Sequence, residues 1–209
     1  MSENAPKSWL LDRPLTGFAL PTGRWAKLMG WFMGRGNLAE QREVFDTVAI
    51  RTDERVLEVG YGPGILVEYF LRAGATVSGV DPSPDMREMA TARARKVVHS
   101  ADVDLRVGTA EATTFPDETF DAVVSVNNVP MWSSLEAGFA ELHRVLRPGG
   151  RLVVAWHGGT QPTRLAKGLA LPEDVLDRIV DAMRDVFGDG ERQRLGQVEV
   201  FRATRTAGG

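Results

Sequence analysis

The sequence contains no cysteine. Disulfides, thiolate metal sites and a cysteine nucleophile are therefore excluded. Histidine is scarce: His99, His143 and His157 are the three imidazoles, and their spacing fits no metal-binding pattern. No apolar run approaches the roughly 18 residues that span a bilayer, so stable membrane insertion is not expected. A basic, apolar leader of the secretory kind is also lacking, and a cytoplasmic location is the expectation. Neither charge dominates. The 25 Lys and Arg against 28 Asp and Glu leave a net charge of −3, which speaks against a wholly basic nucleic-acid platform.

What is present is ordinary globular material, 43% hydrophobic and 25% charged, which excludes a disordered or collagen-like chain. A length of 209 residues predicts a single domain. Its middle alternates short apolar runs with helical patterns. RVLEVG (55–60) reads as a buried strand that ends in glycine, and 64–73 reads as a helix stopped by Gly74. Strand 76–80 follows, then helix 83–98 with Ser83 as N-cap, strand 103–107 and the apolar strand 120–126. Helix 133–146 is ended by Pro148, Gly149 and Gly150, and strand 151–156 follows. Strands separated by helices predict a doubly wound, mostly parallel α/β sheet. Residues 7–50 read as a mainly helical lead-in, 55–156 as the ligand-binding core, and 157–209 as a closing helix, a charged turn and a last strand at 197–204.

The strongest signal is Val56-Leu57-Glu58-Val59-Gly60-Tyr61-Gly62-Pro63-Gly64. A buried strand runs into three alternating glycines and then a helix. In an open α/β sheet, ligands bind beyond the carboxyl ends of the strands. Glycine lets the backbone turn tightly and approach a ligand without a Cβ, and the helix start offers free N–H groups. A second strand ends at Asp81, about 20 residues on, where an acid reaches a ribose diol. Asp81 also has a plainer reading as the cap of the next helix, and the glycines have one as a tight turn. The spacing separates two classes of nucleoside cofactor. A dinucleotide fingerprint would place its third glycine at position 65, which is Ile65. The observed pattern is G-x-G-x-G preceded by Glu58, a poor neighbour for a pyrophosphate and a good one for a cationic amine.

At these residues the sequence resembles the class I S-adenosylmethionine-dependent methyltransferases, most of all the small-molecule branch called type 11. Four segments carry the resemblance in order: VLEVGYGPG, VSGVDPS, VGTAEATTFPDETFDAVVS and HRVLRPGGRLVVAW, together about half of the chain. The resemblance implies a Rossmann-like, seven-stranded sheet and an N-terminal helical lid. It also implies S-adenosylmethionine as cofactor and S-adenosylhomocysteine as product. Glu58 and the loop Gly60, Tyr61, Gly62 and Gly64 would hold the methionine end, and Asp81 the ribose. Pro82 and Met86 would flank the adenine, and the Ala110 N–H would meet a ring nitrogen. Many relatives carry Asp where this chain has Thr109. The Thr109 hydroxyl accepts more weakly, and Glu111 could substitute for it. Asn127 would face the methyl end of the cofactor.

The acceptor side is less determined. His157 directly follows the fifth strand of the core and is the candidate base. Asn128, Trp132 and Trp31 are the candidate pocket wall. For Trp132 core packing is equally open. The run around Trp25, Met29, Trp31, Phe32 and Met33 reads as a helix packed on the core or as a lid over an apolar substrate, with membrane-surface docking a weaker option. The expected function is methyl transfer to a small apolar or aromatic acceptor. The alternatives are a non-catalytic S-adenosylmethionine-binding module and, opposed by Ile65, a nucleotide-cofactor oxidoreductase. The expected partner is a small molecule, with no nucleic acid and no metal, and the chain a monomer or homodimer.

Overall fold

Every residue of strand β4 (Phe120–Val126) is buried, as expected for a strand covered on both faces. It lies at the centre of a seven-stranded sheet in the computed structural model, which describes residues 8–10, 38–97 and 103–206. Beside it run β1 (Arg55–Val59) and β5 (Leu146–His157), and outward from β1 come β2 (Thr76–Asp81) and β3 (Val103–Val107). The order is β3-β2-β1-β4-β5-β7-β6, with β6 (Glu191–Arg194) and β7 (Val198–Thr204) closing the far side. The first five strands are parallel, while β7 runs antiparallel to β5 and to β6. The strand order reverses between β1 and β4, so a crevice opens beyond their carboxyl ends.

Two apolar layers cover the sheet. Helices α1 (Leu38–Val48), α2 (Ile65–Arg72) and α3 (Pro84–Ala94) lie on one face, with Val44, Val48, Leu66, Phe70, Met86 and Ala90 in that layer. On the other face α4 (Leu135–Val145) and α5 (Glu173–Phe187) bring Leu135, Phe139, Leu142, Leu176 and Ile179. Local signals set their ends. The Ser83 side chain accepts from Met86 N, and that of Ser134 from Ala137 N, which satisfies an N–H otherwise orphaned at a helix start. Gly188 ends α5 in the left-handed region, φ 69°. One turn of helix, Arg164–Lys167, precedes α5.

Three boundaries differ from the sequence expectation. Residues 147–150 were expected as a break between helix and strand. They lie inside β5, which starts at Leu146. The register shifts there: Leu146 pairs with Phe120 and Arg151 already with Ala122. Extra residues on one strand make a bulge, and Gly149 supplies the positive φ it needs, 77°. The charged turn after α5 is instead the strand β6, a short polar edge. Its polar and charged residues, exposed except for the half-buried Arg192, hide it from an apolar-run search and blunt the sheet edge. Helix α3 ends at Ala94, short of the expected 98.

The lead-in contributes α1 and the stretch 8–10. Trp9 donates from Nε1 to Val129 O at 2.8 Å and from N to Trp132 O at 2.9 Å. The chain on either side of 11–37 therefore touches the carboxyl edge of the sheet. Trp25, Trp31 and Met33, the expected lid, lie outside the described residues, as does His99.

Candidate active site

The three loop glycines all take positive φ, 72° at Gly60, 50° at Gly62 and 80° at Gly64. What a side chain would meet differs at each. A Cβ on Gly60 would lie 2.2 Å from Asn128 Nδ2, and one on Gly64 2.8 Å from the Ala90 backbone of α3. These two glycines serve packing within the protein. A Cβ on Gly62 meets nothing within 4 Å. It faces open space, so beside its positive φ there is room at that position for a ligand to approach the backbone closely.

Asp81 braces this loop. Its Oδ2 accepts from Gly62 N and its Oδ1 from Ser83 N, both at 2.9 Å. The capping hydroxyl of α3 belongs to Ser83, so Asp81 is left with acceptor capacity toward the crevice. One strand over, Glu58 is 4% exposed and its Oε2 has no hydrogen-bond partner. Burial, then the Asp81 charge, pushes the Glu58 carboxyl well above its usual range, against the pull of the Val67 N–H. Burial likewise raises Asp81, opposed by the N–H groups of Ser83 and Gly62. No cationic side chain among the described residues pairs with either carboxylate. Two such groups side by side suit a ligand that brings a positive charge and hydroxyl donors.

That arrangement has a measurable cost in the free protein. The folded state holds the Glu58 proton more tightly than the unfolded chain does. Unfolding free energy therefore falls as pH rises from the ordinary carboxylate value through the raised folded one. Glu58→Gln removes this dependence. The ligand-free variant should melt a few degrees above wild type at about pH 8 and lose that gain at about pH 4. An equal melting shift at both pH values would show that the Glu58 charge carries no such cost.

Other expected ligand contacts are placed as follows. The Tyr61 ring is turned away from the loop into the core, with its hydroxyl on Arg106 O at 3.0 Å and its edge against Gly79; the residue leaves only its backbone at the loop. Pro82 and Thr109 are exposed, whereas Met86 and Ala110 are buried. Glu111 is engaged elsewhere: its Oε1 accepts from N and Oγ of Ser133 and from N of Ser134, at the start of α4. Asn128 is a bracket. Its Nδ2 donates to Val59 O at 2.7 Å, and its Oδ1 accepts from Ser125 Oγ and from Trp132 Nε1. Trp132 is 5% exposed, edge-on to Phe139 and against Gly138. Asn128 and Trp132, expected at the pocket wall, thus belong to a hydrogen-bonded bracket that ties β4 to β1. The half-buried Asn128 amide satisfies the buried Trp132 indole N–H.

Beyond β4 and β5 a second polar group is assembled. Asn127, left-handed at φ 56°, donates from Nδ2 to Glu40 Oε2 at 2.7 Å. The other Glu40 oxygen meets His157 Nδ1 at 2.9 Å. Glu40 and His157 are 1% and 6% exposed. The sequence reading named Asn127 and His157 and missed Glu40, which is 117 residues from His157. A signal existed: Glu40 shares the buried stripe of α1 with Val44 and Val48, and an acid on an apolar stripe requires a partner. His143, by contrast, packs edge-on to Phe187 in the framework.

Residues 57–154 match the methyltransferase domain family known as type 11. The uncharacterized methyltransferase YdaC of Bacillus subtilis is 30% identical over 129 residues, which span 61% of this chain and 69% of that protein. The chain belongs to the class I S-adenosylmethionine-dependent methyltransferases. A ubiquinone biosynthesis O-methyltransferase of Rhizobium leguminosarum is 38% identical over 101 residues, 48% of this chain and 39% of that protein. With relatives of that kind the methyltransferase shares under half of their length. Its fold matches geranyl diphosphate C-methyltransferase from Streptomyces coelicolor, solved with Mg²⁺, geranyl diphosphate and S-adenosylhomocysteine. There the TM-score is 0.64 at 18% identity, over 88% of this chain and 83% of that one. S-adenosylmethionine is the cofactor of this methyltransferase, and the cationic, hydroxyl-bearing ligand demanded by Glu58 and Asp81 is of its kind. Among the described residues no helix is long and apolar enough to cross a membrane, and no cluster of His, Asp and Glu could hold a metal ion.

Proposed function

We propose that this methyltransferase moves a methyl group to a small apolar or aromatic acceptor bound over the ends of β4 and β5. The observation that carries the reading is Gly62, facing open space beside two buried, cation-free carboxylates. In this reading Glu58 and the backbone of Gly60–Gly64 hold the methionine end, and Asp81 accepts from the ribose hydroxyls. Pro82 and Met86 flank the adenine, with the Ala110 N–H and the Thr109 hydroxyl at its edge. Asn127 stands next to the methyl end.

When bound, the cofactor supplies a methyl group already activated on a sulfonium, so the chain's task is alignment and exclusion of water. The rigid loop fixes one partner, and the edge of β4 and β5 fixes the other in line, at a near-attack distance of about 3–3.5 Å. A small apolar or aromatic acceptor agrees with the relative named for ubiquinone biosynthesis. The excess of acidic residues gives little help to a polyanion.

Calorimetry with S-adenosylmethionine, S-adenosylhomocysteine and NAD is the first measurement. The two adenosyl ligands should bind and NAD should not; the reverse order would return the oxidoreductase reading. Turnover is then read as S-adenosylhomocysteine released with a panel of aromatic and isoprenoid acceptors. Tight cofactor binding without release on any of them would favour the non-catalytic binding module.

A further inference from the structure

The arrangement of Glu40, Asn127 and His157 goes beyond methyl-group positioning. The carboxyl ends of β1, β4 and β5 are consecutive in the sheet. Neighbouring strands lie about 4.8 Å apart, so His157 stands roughly 10 Å across the sheet from the glycine loop, the width of one small acceptor. Its parity on β5 is that of Val153 and Ala155, which face α1. Helix α1 answers with Glu40. Each Glu40 oxygen takes one hydrogen bond, from Asn127 Nδ2 and from the imidazole. With Glu40 as the carboxylate, which only accepts, the ring donates from Nδ1. In the neutral ring the lone pair is then on Nε2, which has no hydrogen-bond partner among the described residues. In the same cluster, Asn127 Oδ1 is buried without a partner. A ring held in one tautomer by a buried acid, with its other nitrogen unspent at the ligand edge, is built to receive a proton.

Resting on the proposed methyl transfer, we infer that His157 Nε2 takes the proton of a phenolic or enolic hydroxyl acceptor, with Glu40 as positioning residue. The step balances. The O–H bond breaks and its proton goes to Nε2. The freed electron pair forms the O–CH₃ bond, and the pair of the broken C–S bond returns to sulfur, leaving a neutral thioether. The imidazolium formed is stabilised by the Glu40 charge and later gives its proton to water. An amine acceptor already has its lone pair and needs no such group. A hydroxyl does, because its conjugate base is the nucleophile.

The test uses the full chain. In protein with ¹⁵N-labelled histidine, three rings give long-range proton–nitrogen correlations, and the set lost in His157→Gln is that of His157. At about pH 8 the expected wild-type pattern is a protonated Nδ1 and a bare Nε2, and Glu40→Gln should lose that bias. A protonated Nε2 in the wild type overturns the proposal, with no variant needed. Turnover is read on two probes. Phenol is protonated at about pH 8, whereas 4-nitrophenol is already ionised there. His157→Gln should lower kcat on phenol by about 10²–10⁴-fold and leave 4-nitrophenol within about threefold. Glu40→Gln should lower kcat on phenol by about tenfold or more with KM held within about twofold. Equal losses on both probes, no loss on phenol, or a wild type that binds cofactor and turns over neither probe would each overturn the assignment. Absence of S-adenosylmethionine binding by calorimetry would instead strike the methyl-transfer reading itself.

Discussion

Gly62→Val should abolish measurable S-adenosylmethionine binding, a loss of at least about 100-fold or about 2.7 kcal/mol, in a protein that still folds. The branched side chain would fill the one position of the loop where a Cβ meets nothing within 4 Å. A β-branched residue at φ 50° adds strain of about 1–2 kcal/mol, which lowers the melting temperature by a few degrees. Gly64→Ala is the control. Its Cβ would press at 2.8 Å on the Ala90 backbone, so α2 and α3 must part and stability falls first. Calorimetry and thermal melting on both variants separate the effects. A folded Gly62→Val protein with wild-type affinity would remove the loop from the binding site.

Asp81→Ala should weaken cofactor binding at least tenfold, about 1.4 kcal/mol, while the sheet stays intact. Two effects add. The variant cannot accept from ribose hydroxyls, each such charge-assisted bond contributing about 1.5–3 kcal/mol at most. It also frees the Gly62 N–H that Asp81 now holds at 2.9 Å, and so loosens the loop. Relief of a buried charge offsets part of the lost stability, since burial already raises the Asp81 carboxyl. Asp81→Asn keeps one acceptor oxygen and should fall between the two in affinity. An unchanged dissociation constant in Asp81→Ala would leave this residue with loop bracing alone.

Much of the fold was legible because its causes are local. The apolar runs at β1 and β4, the helical stripe of α4 and the capping serine at 83 each fix an element through its own few residues. The alternating glycines and the acid that ends β2 are local too, since positive φ and strand termination are properties of short segments. These features also carried the resemblance to methyltransferases, and with it the cofactor.

The tertiary structure alone decided what each side chain is for. Nothing in G-x-G-x-G distinguishes Gly62, open to a ligand, from Gly60 and Gly64, which make room for Asn128 and Ala90. Asn128 and Trp132 look like pocket residues in one dimension and are a hydrogen-bonded bracket in three. The strand β6 exists through pairing with β7, since its own residues are all polar and mostly exposed. Glu40 joins His157 across 117 positions, and Asn127 across 87. Periodicity and propensity report only on neighbours along the chain. Which buried acid meets which imidazole depends on how α1 crosses the ends of β4 and β5, and only the packed sheet fixes that.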